Sequence, residues 1–264
     1  MNDKAQRFGA SFLLFVKGGS IFMLHDNYFD YYERLASWKF DEFDIRSECL
    51  TDWDLYDVLR TLVTKDSRVL DLGTGGGEKV ITNYPECAGI TATDYSPQMI
   101  ATANRNLEAS GRKDITFRVM DNLKMDVPNE YYDVVVARHT ITEARQIRRC
   151  LKPGGHLLIR GVDKYDCWEL KMIFGGGQGW NDPVPVSITD YENVIRAGFN
   201  DVTLVPVCER DYFKDRDAFK GFLTKVPILE GVPDNALLDE YIARNTVSGF
   251  IRLQRWCYGI TARK

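Results

Sequence analysis

The sequence is poor in the residues that build most recognisable catalytic centres. It has three histidines in 264 residues, and its six cysteines (Cys49, Cys87, Cys150, Cys167, Cys208, Cys257) include no C-x-x-C pair. That scatter argues against a zinc site or a disulfide framework and fits reduced thiols. No apolar run approaches the roughly 20 residues of a membrane span; the longest near the start, Phe12-Leu13-Leu14-Phe15-Val16, is cut off by Lys17. No small-x-small cleavage signal follows it, so the chain reads as cytoplasmic, with residues 1–50 as an extension plus a leading helix. Excess positive charge is also missing. The net charge is −4 and the pI near 5.5, which disfavours nucleic acid held by bulk electrostatics. Repeats and low-complexity blocks are lacking too.

What remains is an alternation of short apolar strands and amphipathic helices. Residues 52–63 carry apolar positions at helical spacing behind Thr51 or Asp52 as a cap. Strands follow at 68–72, 89–94, 115–120, 132–137 and 156–160, with a helix from Pro97 that Ser96 caps and Gly111 stops, and another over 143–151. Continuous apolar strands between helices imply a parallel, doubly wound α/β sheet with helices on both faces and its ligand crevice at the carboxyl ends of the strands. Beyond it, 162–188 and 208–248 read as lid-like insertions within a domain spanning 51–264. A helix is expected at 189–197, a strand at 201–207, two helical pieces over 211–245, and a final strand at 249–261.

Asp71-Leu72-Gly73-Thr74-Gly75-Gly76-Gly77 stands directly after a buried strand and before a helix. Glycines here let the chain turn sharply and a ligand approach the backbone. A dinucleotide fingerprint needs a last glycine where Glu78 stands, and a phosphate loop needs Lys-Ser or Lys-Thr where Lys79-Val80 stands. Asp71 at the mouth of the turn and Glu78 beyond it would repel phosphates. A cationic, phosphate-free cofactor suits such a turn.

This segment resembles the first motif of the class I, Rossmann-like S-adenosylmethionine-dependent methyltransferases, and the resemblance extends over about residues 50 to 207. It implies a mostly parallel seven-stranded sheet whose last strand is antiparallel, and S-adenosyl-L-methionine as cofactor. Asp71, Gly73, Thr74 and Gly75 would hold its amino-acid part. Asp94 resembles the acid that accepts from both ribose hydroxyls, with Tyr95 and Met99 beside it. Asp121 and Asn122 resemble the adenine-edge pair. Arg138 and His139 end the fourth strand, where the family lines the methionine end of the cofactor and the substrate. Leu151-Lys152-Pro153-Gly154-Gly155 resembles the turn before the fifth strand.

His139 is the candidate general base, with a structural histidine as the alternative. No metal site is expected. The acceptor is expected to be a small molecule bearing an oxygen or nitrogen nucleophile. RNA or protein methylation is the alternative, through the basic clusters Arg145, Arg148, Arg149, Lys152 or Arg252, Arg255, Arg263, Lys264; a nicotinamide-dependent oxidoreductase and a non-catalytic cofactor-binding module are further ones. The sequence leaves the acceptor's identity and the oligomeric state open.

Overall fold

The computed structural model describes residues 43–229 and 233–264. Residues 1–42 lie outside the described residues, and with them Tyr28, Tyr31 and Tyr32, which the sequence offers as part of a substrate lid or as cover for the sheet. The described residues begin with β1 (Arg46–Cys49), an exposed strand where the sequence suggested an extension, and continue into α1 (Leu55–Leu62). The cap of α1 is Asp54, whose carboxylate accepts from the amides of Tyr56 and Asp57. Thr51 instead uses its hydroxyl to accept from the amide of Cys208 at 2.9 Å, tying this segment to a distant strand.

The doubly wound half follows as expected. It contains β2 (Arg68–Leu72), α2 (Glu78–Asn83), β3 (Gly89–Asp94), α3 (Pro97–Ser110), β4 (Ile115–Val119), β5 (Tyr132–Arg138), α4 (Ala144–Cys150) and β6 (Leu151–Val162). Ser96 caps α3 by accepting from the Met99 amide, and Gly111 ends it in the left-handed region. The second half holds α5 (Trp168–Phe174), α6 (Val186–Arg196), β7 (Asn200–Phe213), α7 (Arg216–Lys225), α8 (Asn235–Asn245), β8 (Thr246–Val247) and β9 (Phe250–Arg263).

These strands form one sheet, ordered β1-β7-β9-β6-β5-β2-β3-β4, with β8 on β9. Strands β4, β3, β2, β5 and β6 are parallel, and β9 enters antiparallel between β6 and β7. The expected seven-stranded sheet with an antiparallel last strand is therefore present, extended by β1 and β8. Alternate residues of each strand feed two cores, as the pleat requires. Val69, Val134, Val136 and Leu158 face α1 and α3, whereas Leu70, Val135, Leu157 and Ile159 face Ile147 of α4 and Val194 of α6.

The second half departs more from expectation. Residues 162–188 include α5, whose Leu170 and Lys171 are fully buried, and the ring of Trp168 stacks on Trp180 at 4.8 Å. Strand β7 runs on to Phe213, and α7 and α8 close over the outer halves of β7 and β9 to make a third core around Phe213, Phe219, Tyr241 and Leu253. Much of the supposed lid is thus packed structure. Among the described residues, no helix is long and apolar enough to cross a membrane, and all six cysteines are free thiols.

Candidate active site

The crevice forms where β2, β3, β4 and β5 end side by side. After Leu72 the chain turns through Gly73, Gly75 and Gly77, at φ of 73°, 58° and 76°. Side chains are disfavoured there by their Cβ atoms, so the alternate glycines are a backbone requirement. The amides of Gly73 and Thr74 donate to the carbonyl of Thr93 at 2.8 and 2.9 Å, and that of Gly75 to Asp94 Oδ2 at 2.8 Å. The loop is thus sewn to the end of β3.

Asp94 takes a second amide, from Ser96, on Oδ1 at 2.9 Å. Tyr95 beside it is more than half exposed, and Met99 is buried in the first turn of α3. Past β4, Asp121 Oδ1 accepts from the Leu123 amide at 2.9 Å. Asn122 Nδ2 donates to Thr140 Oγ1 at 3.0 Å, while its Oδ1 is shut off from water without a donor. Thr140 also touches the loop, since a Cβ on Gly73 would lie 2.5 Å from its own.

Asp71 is not at the mouth of the turn, where the sequence placed it. It is 3% exposed, lies beneath the loop and accepts from the hydroxyl of Tyr84. Burial raises its pKa to about 7, against the lowering effect of the Tyr84 bond and of Arg138.

His139 sits at the end of β5 with φ of 53°, an unusual value for a side chain of this size. Its amide donates to the carbonyl of Arg160 at 2.7 Å. The residue keeps accessible surface although protein surrounds it densely, a combination that fits the floor of a cleft. That crowding, with the guanidiniums of Arg138, Arg160 and Arg255, drives its pKa well below the ordinary imidazole value, so it is neutral at pH 7. Arg138 Nη1 lies 3.5 Å from its Nδ1.

Sequence reasoning missed Tyr84, Thr140 and Arg160, because each meets the site from a different element. Only Arg160 left a signal, as a charge ending an otherwise apolar strand. The basic clusters weighed for nucleic acid are largely engaged internally. Arg149 donates to the carbonyls of Met125 and Val127, Arg148 to that of Gly198, Lys152 pairs with Asp133, and Arg255 is buried against Asp166 and Asp211.

The donor set of S-adenosylmethionine fits this crevice. An ammonium, two ribose hydroxyls and an adenine amine would meet Asp94, Asp121 and the unpartnered oxygens of Asn122 and Glu78, all acceptors. A phosphate would meet the same carboxylates and be repelled.

Comparison with known proteins agrees. Residues 69–155 match the methyltransferase domain family. The chain is 30% identical over 103 residues to the protein-L-isoaspartate O-methyltransferase of Pyrococcus abyssi, covering 38% of this chain and 47% of that one. It is 31% identical over 122 residues to a polyketide synthase–nonribosomal peptide synthetase hybrid of Chaetomium globosum, covering 41% of this chain but 3% of the synthetase. Among solved structures, an S-adenosylmethionine-dependent methyltransferase from Aquifex aeolicus superposes with a TM-score of 0.50 at 17% identity, over 80% of this chain and 89% of that one. At that identity the likeness is one of fold. Residues 69–155 thus match a methyltransferase domain, and the sheet around them has the Rossmann-like fold of the Aquifex aeolicus methyltransferase. The Aquifex aeolicus protein is S-adenosylmethionine-dependent.

Proposed function

We propose that the protein transfers a methyl group from S-adenosylmethionine to an oxygen or nitrogen of a small molecule. The observation that carries this reading is the left-handed Gly73-Gly75-Gly77 turn, sewn to Asp94 and facing acceptors at the ends of β3 and β4. Asp94 would take the ribose hydroxyls, Asp121 and Asn122 the adenine edge, and the Thr74 hydroxyl the amino-acid end. Tyr95 would cover the adenosine from its exposed position, and Met99 would back it from within the first turn of α3. Asp71, from below, would fix the loop and neutralise charge at the amino group. Arg138 would face the methionine end.

The bound cofactor supplies an electrophilic methyl on a sulfonium, with a neutral thioether as leaving group. The protein's part is then alignment and exclusion of water. His139 Nε2, the ring nitrogen away from Arg138, would take the proton released when the acceptor is methylated. Its neutral state leaves that nitrogen ready, although the three guanidiniums weaken it as a base.

Titration calorimetry with S-adenosylhomocysteine and with NAD tests the reading. The first should bind and the second should not; binding of NAD alone would overturn it. Asp94→Ala should weaken S-adenosylhomocysteine by roughly 1–3 kcal/mol, the cost of leaving buried hydroxyl donors unpaired. Unchanged affinity would displace the cofactor from the end of β3.

A further inference from the structure

Beside the crevice, three hydrogen-bond donors are shut off from water and have no acceptor: Trp53 Nε1, the Tyr56 hydroxyl and Arg160 Nε. Buried donors are normally paired, so three close together call for an explanation. Their closeness follows from the sheet. Arg160 is the antiparallel partner of Gly259 on β9. The Trp53 ring lies over that glycine, where a Cβ would come within 2.6 Å of it. Tyr56 stands three residues further on, in the first turn of α1, within the electrostatic reach of both Arg138 and Arg160. Arg138 is the parallel neighbour of Arg160 on β5.

The patch has a sign. An indole N–H and a guanidinium only donate, so what satisfies them must accept. Glu209 pairs with Arg160 at 2.6 Å, and Asp166 and Asp211 hold Arg255 at 2.9 and 3.2 Å. Among the described residues no carboxylate forms an ion pair with Arg138. Arg138, which acts on the buried Asp71 carboxyl without pairing with it, adds a guanidinium to the patch beside a neutral imidazole. The patch also has a place. It overlies β5, β6 and β9, whereas Asp94 ends β3; three strand spacings, about 14 Å, separate β3 from β6. The ribose and adenine acceptors lie on one side of the glycine turn and these donors on the other.

We propose that Trp53, Tyr56 and Arg160, with Arg138, form an anion subsite that grips a carboxylate or phosphate of the methyl acceptor and sets its nucleophile beside His139. This rests on the methyltransferase reading, which needs an acceptor on the β5 side of the turn. It narrows the substrate class to small anionic molecules. The cofactor's own carboxylate has the same chemistry, so the test must separate the two.

Each donor can be deleted conservatively. Trp53→Phe and Tyr56→Phe keep a ring, and Arg160→Lys keeps the charge that Glu209 needs while losing Nε. On the full chain saturated with S-adenosylhomocysteine, calorimetry would follow benzoate and phenyl phosphate against the neutral benzamide and benzyl alcohol. The anions should bind and the neutral compounds should not. Each variant should lose about tenfold in anion affinity, as for a hydrogen bond to a charged group, with S-adenosylhomocysteine affinity unchanged. Melting temperatures should be equal or higher, because an unsatisfied donor has been removed. Absence of saturable anion binding, equal binding of the neutral compounds, or variants indistinguishable from the parent would overturn the proposal. Variants that weaken S-adenosylhomocysteine instead would assign the donors to the cofactor's carboxylate and also overturn it. If S-adenosylhomocysteine fails to bind the parent chain, the methyltransferase reading falls, and the anion titration without it still decides whether the subsite exists.

Discussion

Asp71 shows how far one carboxyl group can depart from what its neighbours in sequence suggest. It follows a buried strand and precedes three left-handed glycines, so a place facing the ligand is a reasonable expectation. The strand instead carries it under the loop to the hydroxyl of Tyr84. Its pKa of about 7 in the folded protein exceeds the unfolded value of ~4. Between those values the folded chain holds a proton that the unfolded chain has released, so this group lowers stability as pH rises from about 4 to about 7 and adds no further change above. Asp71→Asn removes the titration while keeping an acceptor for Tyr84. The melting temperature of the variant should gain on that of the parent as pH goes from 5 to 8, and parallel curves would refute the assignment. His139 shifts the other way. Because its pKa is depressed, protonation of the imidazole should cut kcat/KM only below the usual histidine range, leaving the profile flat through neutral pH. His139→Ala should lower turnover and spare S-adenosylhomocysteine affinity; an acid limb near pH 6.5 that this variant abolishes would contradict the depressed value. At this scale the sequence offered Asp94, Asp121 and His139 as candidates, since each falls at or just past the end of an apolar strand. Tyr84, Thr140 and Arg160 reach the site only through tertiary packing, which local pattern does not encode.

Among the elements, the turn from β2 to α2 is the one whose backbone most narrowly limits its sequence. Gly77 caps α2 at φ of 76°, and a Cβ there would stand 2.5 Å from Phe117 Cζ and 3.1 Å from Ala103 Cβ. Gly77→Ala therefore combines left-handed strain with overpacking of the core beside α3, each a cost of about 1–3 kcal/mol. Chemical denaturation should show a loss in that range or above. Adding Phe117→Leu should recover part of it by relieving the contact, while the backbone strain persists. No recovery would mean that the strain alone accounts for the loss. Elements with their own punctuation were legible: α3, between Ser96-Pro97 and Gly111, matches its signals to within a residue. Strand β1 was not, because all four of its residues are exposed and its pairing partner lies more than 150 residues away. Helix α5 escaped because its seven residues sit among glycines and aromatics that mimic a loop.

For the whole molecule, the question is whether the third core behaves as a separate body. It is built from α5, α7 and α8, in segments that read from the sequence as lid-like insertions, and is distinct from the cores that sandwich the parallel strands. The connection is β9. Its first half gives Ile251 and Leu253 to the third core, and its second half gives Tyr258, Ile260 and Ala262 to the first. Midway, Arg255 joins Asp166, which follows β6, to Asp211 of β7. A strand cannot leave one core without breaking its ladder in the other, and a buried guanidinium cannot leave two carboxylates unpaired without a penalty of several kcal/mol. The protein should therefore unfold as one cooperative unit. Phe219→Ala is the means of testing this, because its ring is fully buried, stacks on Tyr241 at 5.4 Å and lies far from β2 and β3 in the sheet. Truncation should destabilise by roughly 3–5 kcal/mol. Calorimetry should still give a single transition, with calorimetric and van't Hoff enthalpies equal and the whole curve moved to lower temperature. If the variant shows an early transition that leaves S-adenosylhomocysteine binding intact, the third core is an independent lid and the coupling through β9 is refuted.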